Sequence, residues 1–124
     1  MQILVIGSAL RSVSNAQAEL GLTFLEEVET APRYRLYAVD GRFAALVEVA
    51  FGGFAVPGEL VEVPESLLGK ILASEPAGVT QAAVELADGR VVSAATGNLG
   101  LIGDRAVDIT ASGGFAAYLR EGQG

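Results

Sequence analysis

The sequence predicts a small α+β domain: a mixed or antiparallel β-barrel with two or three short helices. Three observations lead there. Short β-branched or apolar runs recur along the whole chain. Two Asp-Gly pairs, Asp40-Gly41 and Asp88-Gly89, separate such runs, and this dipeptide favours tight hairpins. Helical spacing of apolar residues appears only in brief segments. A chain of 124 residues makes one domain, spanning residues 1–124, and a chain of this size buries roughly two-thirds of its unfolded surface.

The elements follow in order. Residues 2–6 (Gln-Ile-Leu-Val-Ile) form a nearly all-apolar, β-branched run, read as a buried central strand ended by Gly7 and Ser8. Ser14 and Asn15 are candidate caps for a short helix over residues 16–20, closed by Gly21. Residues 22–30 fit strand or helix. Residues 33–39 and 43–49 flank the first Asp-Gly pair as a hairpin; residues 84–86 and 91–94 flank the second. Residues 59–63 read as a strand by composition. Pro64 suits the first position of a helix, with Glu65 and Ser66 in its first turn. Leu67, Leu68, Ile71 and Leu72 fall on one face of that helix. Pro76 stops it and turns Glu75 away from helical angles. Residues 115–120 form a last short helix after the Gly113-Gly114 break. Some six strands of this length bury themselves naturally as a closed or nearly closed barrel.

Composition excludes several kinds of chemistry. The chain has no histidine, cysteine or tryptophan. It therefore has no Ser-His-Asp or Cys-His nucleophile pair, no cysteine- or histidine-held zinc, iron–sulfur or haem site, and no disulfide. No cofactor is expected. Fifteen carboxylates against eight basic residues give a net charge of −7, which opposes binding to a phosphate backbone. No apolar run approaches a membrane span, and residues 1–6 are too short and lack the basic leader of a signal sequence. A cytoplasmic location is the expectation. The apolar share of 51% fits a well-filled barrel and fits an oligomer equally, so homo-oligomerisation stays open.

A family resemblance rests on particular residues. Ile-Leu-Val-Ile-Gly-Ser-Ala-Leu at residues 3–10 resembles the first strand and glycine-serine loop of gamma-glutamylcyclotransferase-like proteins. Gly-Glu-Leu-Val-Glu-Val at 58–63, followed by residues 64–75, is similar to their strand and helix ending in an acidic residue. Within that superfamily three segments resemble the C-terminal domain of allophanate hydrolase. These are Thr-Ala-Pro-Arg-Tyr-Arg-Leu-Tyr at 30–37, Val-Glu-Leu-Ala-Asp-Gly-Arg at 84–90, and Asp108-Ile109-Thr110 with Gly113-Gly114 and Ala117-Tyr118-Leu119. They span almost the whole chain. The resemblance implies a stand-alone version of a domain otherwise fused to an amidase, with an amidase as protein partner and a small anionic or amide substrate in nitrogen metabolism and urea degradation. It implies one of two activities: decarboxylation of a carboxylated urea with help from a histidine, which this chain does not have, or lyase or cyclotransferase-like chemistry. The cyclotransferases use a glutamate at the end of the helix as general base, and Glu75 matches that position. Their aromatic residue before the glycine is Ile6 here.

The candidate site is thus Glu75 as the catalytic group, with Gly7, Ser8, Ala9 and Leu10 as the substrate loop. Backbone N–H groups in such a turn form a nest for a carboxylate; the bland alternative is an ordinary strand-ending turn. A glutamate at a helix C-terminus meets the negative end of the dipole. If it also faces an apolar cavity its pKa rises, as a general base near neutrality needs; the alternative is a solvated loop carboxylate. Glu59 shares a strand face with Val61 and Val63 and either lines a pocket or sits at its rim. Arg33, Arg35 and Tyr37 share one face, as a carboxylate-binding fork or a salt-bridged outer face. Tyr34, on the other face with Leu36, is counted with Glu59 among the substrate contacts. Tyr118 is read as packing. Asp104, Asp108, Glu85 and Asp88 fit no calcium loop by spacing, so no metal is expected. Three readings of function remain: an enzyme acting on a carboxyurea-type or gamma-glutamyl-type amide, a non-catalytic partner or oligomerisation module of a separate amidase, and a ligand sensor.

Overall fold

The computed structural model describes residues 1–123. Its eight strands are β1 (Gln2–Val5), β2 (Thr23–Glu29), β3 (Tyr34–Val39), β4 (Phe43–Glu48), β5 (Pro57–Glu62), β6 (Val79–Glu85), β7 (Val91–Gly97) and β8 (Ala106–Asp108). Its helices are α1 (Ala16–Leu20), α2 (Glu65–Ala73), α3 (Leu99–Ile102) and α4 (Phe115–Gln123), with single 3-10 turns at Gly103–Arg105 and Thr110–Ser112. The α+β class stands. Residues 22–30 resolve to a strand, β2.

All eight strands belong to one mixed sheet, ordered β2-β5-β1-β7-β4-β3-β8, with β6 on the remaining edge of β7. The sheet is not closed into the expected barrel, because β2 and β8 end the path without pairing to each other. β7 explains this openness. β6 covers one of its edges along its whole length, from Val79↔Gly97 to Glu85↔Val91. Its other edge is shared, by β1 in parallel at Ser93 and Ala94 and by β4 in parallel at Thr96. β1 and β4 therefore leave β7 in succession and part from each other.

The turns follow local chemistry. Asp40 and Gly41 both have positive φ, 56° and 68°, as the central residues of the tight turn that Arg42 N–H closes onto Val39 O at 3.1 Å. The Arg105 guanidinium forks onto the Asp40 carboxylate at 2.9 and 3.0 Å and ties the 3-10 turn that precedes β8 to this turn. Helix α1 ends at Gly21 in the left-handed conformation, and its Ala16 N–H donates to the Ser14 hydroxyl at 3.3 Å.

Alternation along the strands splits the core between two faces. Leu4 and Ile6 of the first strand region join Leu36, Leu46, Val84, Leu86 and Phe115 of α4 in the main core. Ile3, Val61 and Val63 face the opposite way, under Leu67, Leu68 and Ile71 of α2. Leu72 remains half exposed, so the apolar face of α2 is narrower than its spacing suggests. Beside this second core, Val39, Ala45, Val79, Ala95 and Ile102 pack beneath α3.

Candidate functional site

The parting of β1 and β4 opens a cavity of about 230 Å³ on the α2 side of the sheet. Gly7, Ser8 and Ala9 form one wall of it, and Phe43 and Ala44 of β4 another. Ser74 and Glu75, at the end of α2, and Gln81 of β6 supply further polar groups. Val61, Val63 and Ile71 make its floor apolar. Gly7 is needed at this crossing, since a Cβ there would come 2.8 Å from the Ala44 Cβ. The turn is closed by Leu10 N–H donating to Gly7 O at 3.0 Å, and the Ser14 hydroxyl ties it again by donating to Ser8 O at 2.6 Å.

Glu75 is half-buried just past the C-terminus of α2, where Pro76 prevents another helical turn. Burial pushes its carboxyl above the usual carboxylate range, and a hydrogen bond from Gln81 partly offsets this. That bond runs from Gln81 Nε2 to Glu75 Oε1 at 3.0 Å. Gln81 Oε1 in turn accepts from the Ser93 hydroxyl of β7 at 2.9 Å. Glu75 is the one titratable side chain among the described residues lining the cavity, and no arginine or lysine reaches it. The site can therefore hold a small molecule between the Glu75–Gln81 pair and the loop of residues 7–9, and can exchange a proton with it at a single carboxyl.

The sequence-predicted residues divide. Gly7, Ser8, Ala9 and Glu75 meet at this cavity. Leu10 points into the main core and borders a separate, wider groove of about 720 Å³ beside α4. Tyr34 is buried in the same core, and its hydroxyl accepts from the Glu85 N–H at 2.9 Å. Glu59 lies in the groove region and is a buried carboxylate rather than a rim one, 7% exposed. It accepts from the Arg11 N–H at 3.0 Å, Arg11 Nε at 3.1 Å and Gln17 Nε2 at 2.8 Å. Arg33 pairs with Glu48 and Glu85, and Arg35 with Asp108, as a salt-bridged outer face. Tyr118 packs on Phe115 with ring centroids 6.0 Å apart. Asp88 is engaged by Arg90, and among the described residues no three acidic side chains converge as a metal site would need.

Sequence reasoning missed Gln81 and Ser93. Gln81 precedes the apolar stretch that marked the second hairpin, so nothing local placed it on a strand. Its signal is its position opposite Ser93 across one register step, Gln81↔Ala95 and Ala83↔Ser93, which only the hairpin's full length reveals.

Comparison with known proteins gives a consistent result. A family model described as the allophanate hydrolase C-terminal domain matches residues 1–120. Among solved structures, the chain is similar to Kluyveromyces lactis urea amidolyase, with 26% identity and a TM-score of 0.86 over 99% of this chain. It spans 8% of the length of that protein. A uropathogenic E. coli-specific protein is similar over 96% of this chain and 94% of its own length, with 26% identity and a TM-score of 0.84. An uncharacterised protein from Pyrococcus horikoshii shares the fold at 20% identity, with a TM-score of 0.70 over 99% of this chain and 96% of its own length. No curated protein sequence matches the chain. Among the described residues no helix is long and apolar enough to cross a membrane.

Proposed function

The chain belongs to the allophanate hydrolase C-terminal domain family, and from that membership we propose a small-molecule site in its cavity, acting on a small carboxylated amide with Glu75 as acid and base. The family and the likeness to a urea amidolyase associate the chain with nitrogen metabolism. The observation that carries the finer reading is the meeting of Gly7, Ser8 and Ala9 with Glu75 around one cavity, across more than sixty residues of sequence. The Ser8 and Ala9 amides donate to no protein oxygen among the described residues, leaving them for a substrate carboxylate. Glu75, pushed upward by burial, is the titratable group placed to take a proton from the ligand or return one to it. The substrate is of carboxyurea or gamma-glutamyl type. Allophanate and gamma-glutamyl amides incubated with the purified chain and followed by NMR test this. Turnover that Glu75→Gln abolishes, at nearly unchanged melting temperature, is expected; equal turnover by the two proteins overturns it.

A second reading is favoured by a separate observation. Two of the similar structures carry this fold as a small share of a longer chain, 8% of the urea amidolyase and 21% of a K. lactis allophanate hydrolase. On this reading the chain is a partner module of a separate amidase. It predicts a complex with that amidase on gel filtration and no turnover by the chain alone.

A further inference from the structure

The Ser93–Gln81–Glu75 chain of hydrogen bonds fixes more than the position of one carboxyl. An ionised carboxylate only accepts hydrogen bonds, so the Gln81 amide must turn its NH2 end toward Glu75. Its oxygen then faces the Ser93 hydroxyl, which donates to it at 2.9 Å. One Gln81 N–H is spent on Glu75 Oε1 at 3.0 Å. The second N–H, and Glu75 Oε2, have no protein partner among the described residues, and both side chains line the cavity. The cavity thus holds a hydrogen-bond donor next to an acceptor.

We propose that Glu75 and Gln81 together read an amide edge, the carbonyl of the ligand accepting from Gln81 Nε2–H and its adjacent N–H donating to Glu75 Oε2. A urea, carbamate or primary amide presents that pair of groups. A carboxylate does not: it has no N–H to give, and its charge faces that of Glu75 with no basic side chain in the lining to offset it. The ligand is therefore uncharged at its Glu75 end, and any carboxylate it carries lies toward the Ser8 and Ala9 amides. Gln81 is a specificity-determining residue on this view, and Ser93 positions it. The inference rests on the cavity being the substrate site, as proposed above, and adds which end of the ligand meets which wall.

N-carbamoylglycine and succinate have the same number of heavy atoms and share one carboxylate, but only the former has a urea end. Calorimetry at pH 8 with the full chain is expected to show N-carbamoylglycine binding at least tenfold more tightly than succinate. Gln81→Met keeps the length of the side chain and removes the amide, both its NH2 and its oxygen. It is expected to weaken N-carbamoylglycine about tenfold, the worth of one hydrogen bond at a partly desolvated site, and to leave succinate unchanged. Ser93→Ala weakens the same ligand less, since the amide then loses only its orientation. Succinate binding as tightly as N-carbamoylglycine overturns the inference, as does binding of neither, or a Gln81→Met protein that keeps the preference. The wild-type comparison decides the matter even if a variant does not fold. Loss of the ligand preference with turnover still dependent on Glu75 overturns this inference alone. A preserved preference without any turnover overturns the catalytic reading and leaves this one standing.

Discussion

Gln17 Nε2 donates to Glu59 Oε1 at 2.8 Å, inside the protein, between helix α1 and strand β5. The same nitrogen donates to Ala9 O at 2.9 Å. Glu59 also receives the Arg11 backbone N–H and the Arg11 guanidinium, whose flat face stacks 3.4 Å from the Phe24 ring centroid. A single carboxylate on β5 thus anchors both ends of the segment that begins with the cavity wall. Glu59 supports the loop that the site uses, from outside the site.

Removing that anchor should loosen the fold. Glu59→Ala leaves the Arg11 N–H without an acceptor and takes from the buried Gln17 amide one of its two acceptors, Ala9 O remaining. Hydrogen bonds to a charged group of this kind are worth about 2–3 kcal/mol in all when the partners remain buried. For a domain of this size the melting temperature should fall by about 10 °C, read by circular dichroism. A fall under about 2 °C would mean that water replaces the carboxylate at no cost.

The same carboxylate sets a pH window. Burial alone would push Glu59 up, but the Arg11 N–H, Gln17 and the Arg11 guanidinium outweigh it and hold it below its ordinary value of 4.5. A depressed carboxyl stabilises the fold above its unfolded value and loses that contribution as pH falls through the folded one. The melting-temperature gap between the wild type and Glu59→Gln should therefore be widest above the unfolded value and narrow progressively as pH falls below it toward the depressed folded value. Comparing the two proteins cancels the other depressed carboxyls, Glu26, Asp40, Asp88 and Asp108, which are common to both. A gap that does not narrow at any pH below the unfolded value would contradict the assignment.

Much of this was legible from residue pattern, for reasons that can be named. β1 is paired on both edges and faces a core on each side, so it reads as an unbroken apolar run. The Asp40-Gly41 turn announces itself through the dihedral angles it needs. Pro76 fixes where α2 stops and hence where Glu75 lies. β6 hides its first half because Thr80, Ala82 and Ala83 are exposed and give no alternating signal, and Gln81 hides with it. β8, at three residues, is too short for any period to show. The open sheet was illegible because it depends on two strands sharing one edge of β7, a non-local fact. Tyr34 and Glu59 looked like ligand contacts because a polar atom on an apolar face marks a site and an internal hydrogen bond alike.

The close approach of the loop to β4 gives a paired test. Gly7→Ala places a Cβ 2.8 Å from the Ala44 Cβ, well inside van der Waals contact. Overpacking of this kind costs about 1–3 kcal/mol. Ala44→Gly removes the opposing methyl, so the double variant should recover more than half of the loss in a thermal-melt cycle. Recovery remains incomplete because the Ala44 backbone nitrogen would still stand 3.3 Å away. Strictly additive losses would show that the two residues do not touch as described.

Glu75 predicts the opposite pH behaviour to Glu59. Burial disfavours its ionised form, and the Gln81 hydrogen bond only partly relieves this, so its pKa lies above 4.5. The folded protein therefore holds the proton more tightly than the unfolded chain does. Ionisation of Glu75 costs the fold nothing below the unfolded value, and the cost is complete once pH passes the raised folded value. Glu75→Gln removes the charge and keeps the shape, so it should melt no lower than the wild type at pH 8 and together with it at pH 4. If Glu75 is the base of the proposed reaction, kcat/KM rises with pH through that same raised pKa, and this acid limb is the part of the profile that depends on it. Gln81→Met withdraws the one hydrogen bond that lowers the pKa, so the acid limb should move to higher pH. A limb that stays in place in Gln81→Met, or a Glu75→Gln protein that melts lower at pH 8, would show that Glu75 is solvated and that the cavity does not impose its charge state.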